Sequence, residues 1–199
     1  ESDQTYYFDV STNYTALFSE LPAIDAGGEL SYTLTSNVAG LARVTVNMID
    51  SGAALTYEDV TYDDSTYGPL VFEIDVTAVN DWPSFSLAQT DVLLYEDDGA
   101  YTQDNFITDI DFGDLDELDF AEFDSFVVTV NNTDLFEEYP SINSEGTLSF
   151  TLADNQFGLS PVFVSLVDQG GTENYGVDTS LEAEFIVLVS SINDVPEFD

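Results

Sequence analysis

The chain has 199 residues, 44% apolar and 14% aromatic, which fits one or two folded domains and is too aromatic for a disordered chain of this charge. Forty Asp and Glu stand against one basic residue, Arg43, for a net charge of −39, so the chain cannot neutralise phosphates or bind anionic membrane surfaces. It has no Cys and no His, hence no disulfide framework and no thiolate zinc site.

The chain opens mid-pattern with "ESDQTYYF", which reads as a piece of a longer polypeptide. The first clear strands follow: "GELSYTL" (Gly28 to Leu34), "ARVTVNMI" (Ala42 to Ile49) and "VFEIDVTAV" (Val71 to Val79). Each alternates apolar and polar residues, the period of a strand with one buried face. The turn signals "DAGGE", "SNVAG" and "DSG" separate them. "AVNDWPSF", Ala78 to Phe85, follows and returns at the end of the chain as "SINDVPEF". Between the two, "DLDELDFAEF", Asp114 to Phe123, reads as a solvated loop, with a short acidic helical turn as the alternative. The longest apolar run, "FIVLV" from Phe185, is far too short to span a bilayer, so no membrane insertion is expected.

The doubled phrase belongs to an internal repeat. Leu30, Tyr32 and Leu34 fall on Leu148, Phe150 and Leu152 at an offset of 118, as do Gly40 on Gly158 and Asp50 on Asp168. Phe72, Ile74 and Val76 fall on Phe185, Val187 and Val189 at an offset of 113, so the first copy carries a loop five residues longer. Short alternating strands with Gly, Asn and Asp turns predict an all-β fold of tandem Ig-like or cadherin-like β-sandwiches. Ser84 to Leu118 has no counterpart before Glu1. Residues 1–83 are therefore expected to form an incomplete sandwich lacking its opening strands. Residues 84–199 are expected to form a complete sandwich plus the start of the next linker.

"LVDQGGTENYGVDTSLEAEFIVLVSSINDVPEF" (Leu166 to Phe198) resembles the closing half of the cadherin-like or immunoglobulin-like tandem repeats of giant surface proteins and RTX-type adhesins. Those repeats end in a D-x-G-G-T, G-V-D-T-S, strand, V-N-D-x-P sequence. "YEDDGAY" and "DFGDLDE" resemble their opening half, and "VTAVNDWPSF" resembles the calcium-binding linker of cadherins. The first copy departs from the pattern: "MIDSGAALTYEDVTYDDSTYGPL" lacks Gly-Gly-Thr and G-V-D-T-S. The resemblance implies an extracellular, multi-domain, calcium-dependent adhesive or structural fibre at the cell surface or secreted.

Calcium takes several hard oxygen ligands. Candidates are Asn80 and Asp81 in the linker, Glu96 and Asp98 after the first strands of the second copy, and the pair Asp109 and Asp111, with Asp114, Asp116 and Glu117 close behind. In a sandwich the loops of one end cluster, so these could meet around Ca2+ at the seam between modules and stiffen it. The plainer reading keeps Asn-Asp-x-Pro as a linker that fixes its own turn, with the acids as a solvated face. The acidic run is not an EF-hand: counted from Asp109, Gly113 comes one place early and Phe120 stands where Glu is needed. Asn13 and Asn131, also 118 apart, sit in N-x-Thr sequons and are candidate glycosylation sites. No enzyme is expected, since a chain without His, Cys or Lys has no nucleophile–base pair of the usual kind. The expected partners are neighbouring repeats or neighbouring subunits, with glycans or cell-surface ligands left open. Two rival functions remain. One is a filament or surface-layer subunit completed by strand exchange. The other is a carbohydrate-binding module using Tyr57, Tyr62 and Tyr67 or Trp82.

Overall fold

The computed structural model describes residues 5–50, 52, 55–57, 60–62, 66–114, 116–117 and 119–193. The chain divides into two compact units, Glu1–Ala78 and Val79–Asp199. Among the described residues no helix is long and apolar enough to cross a membrane.

In the first unit the alternating segments form β1 (Tyr6–Thr12), β2 (Phe18–Ile24), β3 (Leu30–Leu34), β4 (Gly40–Asp50), β5 (Leu55–Tyr57), β6 (Val60–Tyr62) and β7 (Thr66–Val76). Ala42, Val44 and Val46 are buried on one side of β4, as its two-residue period requires. Strands β1, β4 and β7 form an antiparallel sheet, and β2 pairs with β3. The longer loop of the first copy holds the hairpin β5–β6. A small core gathers Leu17, Phe18 and Ala42 with Tyr14, Val38, Ile74 and Val76.

The second unit repeats this plan and adds to it. Its strands are β8 (Ser84–Leu87), β9 (Asp91–Tyr95), β10 (Ala100–Gln103), β11 (Ile107–Asp111), β12 (Phe123–Val130), β13 (Phe136–Ile142), β14 (Leu148–Leu152), β15 (Gly158–Asp168) and β16 (Ala183–Ser190). The counterparts of β1, β2, β3, β4 and β7 are β12, β13, β14, β15 and β16. One sheet runs β12-β15-β16-β9, with β9 parallel to β16; another runs β10-β14-β13; β11 pairs with β8. The core between them includes Val92, Phe106, Leu148, Phe150, Val162, Val164, Phe185 and Val187. Phe106 and Phe185 meet edge to face at 4.8 Å.

The repeat extends to single hydrogen bonds. Asp25 Oδ1 accepts from the Gly27 and Glu29 amides, and Asn143 Oδ1 from the Glu145 and Thr147 amides, both closing the same turn. The described residues between Asp114 and Glu122 turn into β12, with Glu117 N donating to Asp114 O and Ala121 N to Glu117 O.

Strand direction fixes the two ends of the second unit. Gly158 lies opposite Val189 and Val164 opposite Ala183, so β15 carries Asp168 to the end where β16 begins. Strand β9 runs with β16 and finishes with Tyr95 beside Ser190, at the opposite end. The 11 residues of β15 put roughly 30 Å between them.

Candidate metal centre

The Asn-Asp-Trp-Pro phrase is fastened to the second unit by its first residue. Asn80 is buried, and its Nδ2 donates to Asp168 Oδ1 (3.0 Å) and Val177 O (2.8 Å). Its carbonyl accepts from Val177 N at 2.9 Å. Asp168 Oδ1 also accepts from Gly170 N at 2.7 Å, the same turn that Asp50 makes with Gly52 in the first unit. Asp81 N donates to Glu117 Oε1 at 2.8 Å, so the next residue of the phrase holds the acidic turn leading to β12.

These bonds leave a set of oxygens without donors. Among the described residues, the buried side-chain polar atoms with no hydrogen-bond partner are Asn80 Oδ1, Asp116 Oδ1, Glu117 Oε2 and Asp168 Oδ2. All four are acceptors, and all four belong to residues that are bonded to one another or adjacent in the chain. Buried acceptors without donors are costly, and a cation or a proton can satisfy them. Burial raises the Glu117 carboxyl from 4.5 to about 7; the Asp81 amide opposes the shift, and the charges of Asp81, Asp116 and Asp114 add to it.

Two glycines allow this crowding. A Cβ on Gly170 would collide with Asn80 Oδ1, and one on Gly113, at φ +123°, with Glu117 Oε2. Gly113 lines a cleft of about 240 Å³ with Asp111, Asp114 and Glu117. The donor set is hard oxygen throughout, which suits calcium. Among the described residues no three acidic side chains come together as a group that could hold a metal ion; the donors stand as two linked pairs, Asn80–Asp168 and Asp81–Glu117.

The sequence-predicted ligands part company. Asp111 pairs with Ser84 at the Asn80 end and lines the cleft beside Glu117. Asp109 is exposed, at φ +51° in the irregular stretch of β11. Glu96 and Asp98 lie at the opposite end. Buried Glu96 accepts from Ile192 N at 2.6 Å, and Asp98 Oδ2 accepts from Tyr95 N at 2.8 Å. The six candidates therefore do not form one constellation, because parallel pairing of β9 with β16 carries Glu96 away from Asn80. Glu96 faces the outgoing "SIND" phrase instead, of which Asp194 lies outside the described residues.

Asp168 is absent from the predicted ligands, although its "DQGG" was legible as an acid and a Gly-Gly turn closing a buried strand. Asn13 and Asn131 are both exposed, at the ends of β1 and β12, and Asn13 Oδ1 accepts from Arg43 N at 2.7 Å. Of the tyrosines, Tyr67 is exposed; the side chains of Tyr57 and Tyr62 lie outside the described residues.

No protein-family model and no curated protein sequence matches the chain. Among solved structures, human protocadherin-24 EC1-2 (Form II) matches with a TM-score of 0.54 and 15% identity, over 96% of this chain and 84% of that one. The fold is cadherin-like. The second human protocadherin-24 EC1-2 structure matches at 0.48 and 13% identity, over 97% of this chain and 85% of that one. Domains 4 and 5 of the S-layer protein SbsC match at 0.35 and 16% identity, over 92% and 70%. At 15% identity the likeness to human protocadherin-24 EC1-2 (Form II) concerns the fold alone.

Proposed function

We infer that the chain is a non-catalytic structural segment of an extracellular, adhesion-type tandem-repeat protein, stiffened by calcium where the chain enters the second unit. The observation that supports this most directly is the set of four buried acceptor oxygens on Asn80, Asp116, Glu117 and Asp168, none with a donor. Two donor pairs, Asn80–Asp168 and Asp81–Glu117, would each offer oxygens to calcium, with Asp116 and Asp111 near the second. Bound calcium supplies positive charge to oxygens that otherwise repel one another. The chain's own residues do the rest. Asn80 ties the Val79–Pro83 segment to the β15 end through Asp168 and Val177, and Asp81 ties it to the acidic turn through Glu117. Fixing both bonds removes freedom from the Val79–Pro83 segment.

Thermal melting in calcium, in chelator, and in sodium chloride at matched ionic strength tests this. Calcium is expected to raise the melting temperature of the second unit well beyond sodium, and Asp168→Asn to remove most of the difference. An equal response to both salts would overturn the reading.

A further inference from the structure

The second unit shows water an apolar sheet face where the first unit shows charge. In the sheet β12-β15-β16-β9, Val92, Val162, Val164, Val187 and Val189 are buried, so the residues alternating with them point outward. On that outer side Leu159 lies opposite Leu188, and Leu188 beside Leu93, in one row across three strands. They are 56%, 40% and 70% exposed. Pro161 lies opposite Ile186 in the next row, Phe163 follows on β15, and Val127 of β12 is also exposed. Of the acids in β9, β15 and β16, Asp91 and Glu184 are exposed on this side and Asp168 is buried.

The internal repeat supplies the comparison. Val127 and Pro161 stand where the first unit has Asp9 and Arg43 at the offset of 118, and Ile186 and Leu188 where it has Glu73 and Asp75 at 113. Phe163 likewise stands for Thr45. Asp9, Arg43, Glu73 and Asp75 are all exposed. The inward positions keep their character, with Val44 and Val46 matching Val162 and Val164, and all four are buried. Strands of this kind therefore form with charges on the outer side, and the apolar set serves something other than the fold. A contiguous apolar surface on a folded domain marks a contact surface.

We propose that two copies of the chain meet at this face, sheet against sheet. Charge decides between the occupants. A basic partner would be held by acids, and this face lacks the acids that the first unit carries at the same positions. A second copy brings its own net charge of −39 and approaches most easily where charge has been removed. The row Leu159–Leu188–Leu93 has Leu at its centre and at both ends, so it can face itself across a two-fold axis without burying a charge. Sheets packed in this way lie about 10 Å apart. Four strands about 4.8 Å apart, over the seven register pairs of β15 with β16, give a footprint of roughly 400 Å² per copy. That is the size of a weak, reversible contact.

Sedimentation of the full chain in chelator, up to about 1 mM protein and at about 0.1 and 1 M sodium chloride, reads the outcome. A reversible dimer is expected, tightening on the order of tenfold in the higher salt as the repulsion is screened. The double variant Ile186→Glu, Leu188→Asp carries the residues of the first unit and is expected to raise the dissociation constant on the order of a hundredfold. Amide exchange at β15 and β16 checks that the variant keeps its fold. Val127→Asp, on a different strand, should weaken the dimer in the same direction. Tyr139→Asp, at an exposed site of β13 in the other sheet, adds the same charge and should leave the dimer as it was. The proposal is overturned if the chain stays monomeric over this range at both salts, or if the folded double variant dimerises as tightly as the parent. It is also overturned if the dimer weakens as salt rises, the sign of a contact between opposite charges. Chelator is present throughout, so a failure here is separable from a failure of the calcium site.

Discussion

At the scale of single residues, the Asn80 end works by close approach. Gly170 has no Cβ, which lets Asn80 Oδ1 sit against it. Gly170→Ala is expected to cost about 1–3 kcal/mol through overpacking and to weaken calcium binding, read by chemical denaturation and by calcium titration. Glu117 gives a pH signature. Its folded carboxyl is raised to about 7, so the folded state holds the proton more tightly than the unfolded chain. That contribution is fully present below the ordinary glutamate value near 4.5 and is lost as the pH rises towards 7. In chelator, stability should fall across this window, and Glu117→Gln should flatten the fall. In calcium the fall should shrink, because the ion takes the proton's place. Melting curves from pH 4.5 to 7.5 check both signs.

Among the strands, equal sequences have unequal worth. Leu30 and Leu148 share a repeat position, one 38% exposed and the other 0%. Leu148→Ala is expected to cost about 2–5 kcal/mol, the usual range for an emptied core site. Leu30→Ala should cost less, about 1–2 kcal/mol, since the side chain is already 38% exposed. Because the two units need not unfold together, each variant is read on the transition it belongs to, by site-resolved denaturation. The open edge of β7 carries Glu73 and Asp75, charges of the kind that discourage unplanned strand pairing. Glu73 also meets the only basic side chain, with Arg43 Nη2 at 3.3 Å, both largely exposed. An exposed pair of this sort contributes little, so Arg43→Ala should move stability by less than about 1 kcal/mol.

For the whole molecule, a net charge of −39 is the dominant long-range force. Self-repulsion of this size is screened by salt, with a Debye length of about 10 Å at 0.1 M. Stability should therefore climb with sodium chloride and level off. Calcium at 1 mM adds only about 3 mM of ionic strength, so any large rise there is coordination rather than screening. A sodium titration repeated with saturating calcium separates the two, and the responses should add if they act independently.

Local information was enough for the strands, the turns and the repeat. The alternation in "ARVTVNMI" and "GELSYTL" specifies a strand wherever it stands, and Asp25 and Asn143 write the same turn twice. The acidic ligands were legible only as a pool. Which of them meet depends on the direction in which distant strands run, and that is absent from any short stretch. Asn80 finds Asp168 across 88 residues, while parallel pairing of β9 sends Glu96 to the far end beside Ile192. The burial of Leu148 and the exposure of Leu30 have the same origin. The residues are alike, and only the strands packed over them decide how much water each one loses.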